Sequence, residues 1–459
     1  MEEIDVEVRS VAKMIHAYSG YPVGLKTSCG FIHCSTLLSE IREIMKGNVL
    51  VLTVCSSLWR VSIDIIWPYL SLYIIALGGE YETVGQVMAV GNIASMMLYP
   101  LGGYIADYQG RIKIMAYMTF VYAFTFLIFV FTHSWLWVAV GIFMQSLVTF
   151  YIPAMQALMA DSIPATKRGV GFAATMAIPG AFGIASPLIG GWLIEQLGVQ
   201  TAVRGLYAIG FFVALIVATL RLKFLKEIRE RKGPGLNITV ARVPGLILES
   251  YKDMLRTVRG ASKPLLTYAA LVSAAAFFVS MVTPFWIIRA TEIIGLNTWQ
   301  WGTLSLINGT INVLLSFPAG RIVDRFNKRW VAGICLIICS VPVLLFLRAT
   351  TFTEVAILLA ASTIPNTFIN PVFQAMFIDM TPSDKRGRMI AAIGGAGIWV
   401  TGGAWATGIF AMLSITMGTL LSGYIYRFNN QLPWMILSGA IALIGVLMIV
   451  LVKDTAREG

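Results

Sequence analysis

Arg60 and Asp64 lie four residues apart inside the long apolar stretch that begins near residue 48. On a helix that spacing puts both side chains on one face. A charge at the centre of a bilayer costs about 2.5–3.5 kcal/mol on insertion scales, so residues of this kind mark ion, proton or substrate routes. The rest of the 23 acidic residues fall in tails, in loops or near the ends of apolar runs, and the three histidines (His16, His33, His133) lie outside such runs. Asp64 is therefore the candidate proton carrier. Arg60 is either its counter-ion or the partner of an anionic solute; the competing reading is a fixed structural ion pair.

Amides form a second group. Asn308 and Asn312 share one helix face, as do Asn366 and Asn370, with Gln145 and Asn92 alone on their own runs. Taken singly, each reads first as a hydrogen bond joining two helices. Taken together, they are candidates for the polar lining of a solute cavity. Other chemistries find little support. No Gly-x-x-x-x-Gly-Lys-(Ser/Thr), His-Glu-x-x-His or Gly-x-Ser-x-Gly occurs, which argues against ATP hydrolysis and against the hydrolase classes those motifs serve. Cys29, His33 and Cys34 lack a fourth ligand at usual spacing, so no metal and no cofactor is expected, and the five cysteines read as thiols.

The elements that position these residues follow from composition. Of 459 residues 57% are apolar and 12% charged, against about 25% charged in a soluble domain; mean hydropathy is +0.78. Twelve apolar runs are long enough to span a bilayer: 48–76, 84–106, 112–131, 135–159, 170–194, 204–222, 265–288, 299–319, 330–348, 354–378, 389–425 and 432–452. In lipid such runs must be helical. The run 389–425 is too long for one straight span and holds six glycines (394, 395, 397, 402, 403, 408), so a bent or broken helix is expected there. Of 34 Lys and Arg, 29 fall on alternate connections that include both tails and the central stretch, and four on the others. That bias places both termini in the cytoplasm of a multi-pass cell-membrane protein. It also explains the +11 charge by topology, with attraction to lipid headgroups and no nucleic-acid partner. The expected organisation is a tail 1–47, a six-helix bundle 48–222, a cytoplasmic loop 223–264, a second bundle 265–452 and a tail 453–459. Two cytoplasmic stretches, one around Leu37–Met45 and one around Ile247–Val258, carry apolar stripes suited to the inner membrane surface.

The halves repeat. Residues 149–174 and 367–392 share 12 identities in 26 positions at an offset of 218, and Gly103, Asp107 and Arg111 answer Gly320, Asp324 and Lys328 at an offset of 217. Parallel six-span repeats are an architecture of secondary transporters. The loop Gly103-Tyr-Ile-Ala-Asp107-Tyr-Gln-Gly110-Arg111 resembles the Gly-x-x-x-Asp-(Arg/Lys)-x-Gly-(Arg/Lys) signature of the major facilitator superfamily, and Gly320-Arg-Ile-Val-Asp324-Arg325-Phe-Asn-Lys328 is similar. The first copy has Tyr108 where a cation is usual, the second Asn327 where glycine is usual. The resemblance implies an all-α fold of two six-helix bundles that rock about a midplane cavity. It also implies that Gly103, Asp107, Gly110, Arg111, Gly320, Asp324 and Arg325 act in conformational gating. In the resembled fold, spans one, four, seven and ten line the cavity, which favours Arg60, Asp64, Gln145, Asn366 and Asn370. Ser186-Pro-Leu-Ile-Gly190-Gly191 partly matches the antiporter signature of drug-efflux branches. The expectation is a monomeric secondary transporter of a small organic solute, with proton-coupled efflux as the leading mode. The alternatives are proton-coupled uptake of an organic anion and, more distantly, a non-transporting sensor on the same scaffold.

Overall fold

The computed structural model describes residues 41–452 apart from 110, 165–167, 229–242, 382–388, 390–395, 401–402 and 407. From residue 47 onward the described residues are almost wholly helical. The first part comprises α1 (Gly47–Asp64), α2 (Leu70–Ala76), α3 (Tyr81–Gln109), α4 (Arg111–Phe131), α5 (Trp135–Val148), α6 (Ile152–Ser162), α7 (Arg168–Gly183), α8 (Ser186–Leu197) and α9 (Val199–Phe224). Helix α10 (Val243–Arg259) follows, then α11 (Lys263–Val282), α12 (Trp286–Glu292), α13 (Thr298–Arg325), α14 (Lys328–Leu345) and α15 (Phe352–Met380). A hairpin of β1 (Ala396–Trp399) and β2 (Gly403–Ala406) precedes α16 (Ile409–Phe428) and α17 (Leu432–Leu451).

Local chemistry sets the boundaries. Asn297 and Gln300 form a reciprocal capping box at the start of α13, and Thr351 and Glu354 do so at α15. Prolines stand in the first turn of the short Trp67–Tyr69 turn, of α6, α8, α11 and α17, where a missing N–H costs nothing. Among the described residues ten helical stretches are long and apolar enough to cross a bilayer. Helices α3 and α13 have 29 and 28 residues, about 42 Å each, and coincide with the expected second and eighth runs. Polar residues such as Glu82, Gln86 and Asn92 in α3, and Asn308 and Asn312 in α13, make them less apolar than the rest.

Packing follows the repeat. In the first part α4 lies on α9, α3 on α5, α1 on α7 and α1 on α9; in the second, α14 lies on α17, α13 on α15, α11 on α16 and α11 on α17. The sets are joined most extensively by α3 with α16 and α8 with α13, and α2 also meets α12.

Two features take a form that the sequence pattern leaves open. The run 389–425 is broken, as expected, and among the described residues the break takes the form of an antiparallel hairpin, Ile398 opposite Ala404, ahead of α16. Each glycine in a helix interior costs about 1 kcal/mol against Ala, and Ile398, Trp399, Val400 and Thr401 favour extended backbone. A ribbon at membrane depth is tolerated only where protein covers it; here α11, α15 and α16 pack around it, and Ile398 and Val400 are fully buried. The other feature is Arg221, one of the 29 cations counted above and the last charged residue of the run 204–222. It lies in the last turn of α9, 2% exposed, donating to Thr119 Oγ1 at 2.7 Å with its guanidinium carbon 5.5 Å from the Tyr151 ring centre.

Candidate transport site and gates

Two broken spans cross at the candidate proton carrier. Helix α1 ends at Asp64 and the chain passes through the turn Trp67–Tyr69 into α2; α7 ends at Gly183 and resumes as α8 at Ser186. Arg60 Nε donates to Asp64 Oδ2 at 2.5 Å. The Arg60 side chain is 60% exposed and that of Asp64 23%, so the carboxylate is sheltered while the guanidinium is open. Gly183 faces the pair: a Cβ there would stand 2.7 Å from Asp64 Oδ2 and 2.8 Å from Arg60 Cγ. A carboxylate at a helix C-terminus meets the negative end of the dipole, and the neighbouring guanidinium offsets that. Sequence reading paired Arg60 with Asp64 but could not find Gly183, whose role exists only where the two chains cross.

The asparagines occupy two separate layers. Asn308 Oδ1 accepts from Thr363 Oγ1 and Asn312 Nδ2 donates to Thr367 Oγ1, each at 3.2 Å, so this pair joins α13 to α15. Asn366 Oδ1 accepts from Val400 N at 3.1 Å and Asn370 Oδ1 from Ile398 N at 2.8 Å. Four residues of helix rise about 6 Å and two residues of strand about 6.7 Å. The asparagine pair therefore matches the outer edge of β1 and supplies the acceptors that edge lacks. Asn366 Nδ2 and Gln145 Nε2 are buried and meet no acceptor among the described residues. Asn92 is half-buried on α3. Of the aromatic residues near the site, Trp59 packs on Tyr122 and Phe126, and Trp286 on Phe346 and Trp434.

The charge-poor end of the molecule is tightly shut along both joining contacts. Where α8 meets α13, a Cβ on Gly191 would collide with Thr298 O, and one on Gly302 would lie 2.6 Å from Pro187 O. Thr298 Oγ1 donates to Gly191 O at 2.8 Å, and Tyr69 Oη to Pro187 O at 2.5 Å. Where α3 meets α16, Gly85 comes against Thr419 O and Gly423 against Tyr81 O, each too close to admit a Cβ. Arg427 bridges Glu80 at 2.7 Å and Glu82 at 2.8 Å, Gln86 Nε2 donates to Tyr424 Oη at 2.7 Å, and Tyr81 Oη to Glu292 at 2.7 Å. The partial signature around Pro187 thus supplies backbone for a seam.

At the basic end the repeat reappears as two ion pairs. Arg111 Nη1 contacts Asp161 Oδ2 at 2.7 Å, and Lys328 pairs with Asp379. Both acids and both cations are repeat-related positions, although the sequence reading gave Asp161 and Asp379 no role. Glu227 accepts from the Arg111 and Ile112 amides, closing the start of α4. Arg325 is exposed at the end of α13. Gly103 and Asp107 lie on α3, and Gly320 and Asp324 on α13, with side chains outside the described residues; Gly110 is outside them altogether.

This arrangement can be set against known proteins. The Major Facilitator Superfamily family model matches residues 52–397 and 269–459. The chain belongs to the Major Facilitator Superfamily. It is a transporter of that superfamily, in keeping with the relatives it resembles. A Na(+), Li(+), K(+)/H(+) antiporter of Planococcus maritimus is 23% identical over 402 residues, 81% of this chain and 92% of the antiporter. The multi-drug resistance efflux pump PmrA of Streptococcus pneumoniae is 25% identical over 188 residues, 40% of this chain and 46% of the pump. Among solved structures, a D-xylose-proton symporter superposes with a TM-score of 0.65 at 15% identity, covering 89% of this chain and 98% of that one. The superfamily fold is thereby shared, and the relatives named include an antiporter and an efflux pump.

Proposed function

We propose that this superfamily member is a proton-coupled exporter working by alternating access, with Asp64 taking up and releasing the coupling proton. The observation that carries the reading is the sheltered carboxylate at the break of α1, paired with Arg60 and covered by Gly183 at the break of α7. Discontinuous helices at the midplane are where transporters place substrate and coupling-ion sites. In this reading α3 and α13 complete a set of twelve spans. Residues 48–222 and 265–452 form two six-helix bundles, and the tails and residues 223–264 are cytoplasmic. The charge-poor end is then extracellular. The single chain is the working unit, embedded in the cell membrane.

The exported species is a small organic solute. A second reading, exchange of a monovalent cation for protons, is favoured by the antiporter relative, whose similarity runs over most of both chains. One assay separates the two. Proteoliposomes with an imposed pH gradient and an internal pH dye receive NaCl, LiCl or KCl in one series and a panel of lipophilic organic cations in another. Solute-dependent proton movement in only one series selects that reading. Asp64→Asn should abolish the movement while the purified protein keeps its melting temperature; undiminished movement would refute Asp64 as the carrier. Collapse in Arg60→Ala alone, with an organic anion as solute, would point instead to anion uptake.

A further inference from the structure

Helix α3, one of the two helices of the α3–α16 seam, runs through Pro100. Proline has no N–H, so the carbonyl four residues earlier loses its intrahelical donor. That carbonyl belongs to Met96. In this structure it is not left empty: Tyr251 Oη, from α10 in the central connection, donates to Met96 O at 2.7 Å, and α10 packs along α3. Met96 is also where α3 touches the second repeat, its sulfur 4.0 Å from Thr416 Oγ1 of α16. Burial raises the Tyr251 phenol above its ordinary range, which keeps the hydroxyl protonated as a donor.

We propose that α10 is a strap on the gate, with the Tyr251 hydroxyl substituting for the N–H that Pro100 removes from α3. Superfamily membership does not imply this role. It arises because a proline in a seam helix and a tyrosine 151 residues later meet at one acceptor. The strap couples the central connection to the seam. With Tyr251 bonded, α3 keeps the shape that fits α16 and the charge-poor end stays shut. With Tyr251 withdrawn, the vacant carbonyl loosens the helix at its proline and favours opening.

The test reads the conformational equilibrium without any solute, so its outcome is separate from the transport assay above. In full-length protein with native cysteines replaced, His133→Cys and Asn430→Cys carry spin labels on exposed loops at the charge-poor end of the first and second repeats. Tyr251→Phe removes one oxygen and should raise the ratio of long to short distances about fivefold, the worth of one net hydrogen bond. Pro100→Ala returns the N–H to the helix, so Tyr251→Phe added to it should change the ratio no further. An unchanged ratio in Tyr251→Phe, or an equal shift in the Pro100→Ala background, would overturn the proposal. If Pro100→Ala does not accumulate, Pro100→Gly restores the same N–H and serves in its place.

Discussion

The fifth run of the first half and its counterpart in the second half are both interrupted, by different means. In the first, α7 stops at Gly183 and a proline restarts the helix as α8, whose Gly191 then presses against α13. In the second, a hairpin fills the interruption, and two asparagines from α15 satisfy its exposed edge. The repeat positions of those asparagines in the first half are Val148 and Ile152. Where no ribbon exists, no edge acceptors are present. A duplicated scaffold has thus kept its helix pairings and diverged at the interruption of its fifth run. One half closes by backbone contact and the other carries a polar clasp.

The largest effect should come from breaking the first half's solution. Gly191→Val places a side chain where Thr298 O already stands, so the α8–α13 seam cannot close. Transport in proteoliposomes should fall to background, and the spin-label distances across the charge-poor end should lengthen; retained transport would show that the seam is not part of the cycle. Next comes the clasp. Asn366→Leu with Asn370→Leu leaves two strand amides buried without acceptors, about 4 kcal/mol in all. Melting of the detergent-solubilised protein should drop accordingly. Val148→Leu with Ile152→Leu, the matched control, should cost under about 1.5 kcal/mol.

A finer comparison lies in the repeat-related ion pairs. Arg111 is nearly buried, whereas Lys328 and Asp379 are 23% and 34% exposed. Arg111→Gln removes a sheltered ion pair and should cost more stability than Lys328→Gln, which should cost under about 1 kcal/mol and less still in high salt. Equal losses in chemical denaturation would erase the asymmetry between the halves.

Most of the fold was legible because lipid leaves the backbone few choices, so an apolar run of about 20 residues reads as a helix. The interruption at 389–425 was legible from its glycines, but its form was not. Whether such a stretch bends or doubles back depends on edge acceptors about 30 residues upstream, and nothing local records them. The burial of Arg221 was hidden for a similar reason. A count of cations reports only the side of the membrane, while α9 continues to Phe224 and buries this one beside Thr119 and Tyr151. Of the site, the Arg60–Asp64 pair follows from helical spacing alone. Gly183, Gly191 and Gly423 act by leaving room for a chain far away in sequence, and an absent side chain has no pattern to read. The amide pairs were visible as pairs, but their partners, Thr363 and Thr367 for one and a strand edge for the other, needed the packing.

The clasp also imposes an order on synthesis. Residues 366 and 370 emerge from the ribosome well before residues 398 and 400, so for a time the two amides sit in a nascent span with nothing to hold. Their neighbours on the same helix, Thr363 and Thr367, already have partners in Asn308 and Asn312, which were made earlier. Helix α15 can therefore dock on α13 as soon as it leaves the insertion machinery. The glycine-rich stretch then arrives at a surface prepared for it and need not fold in open lipid.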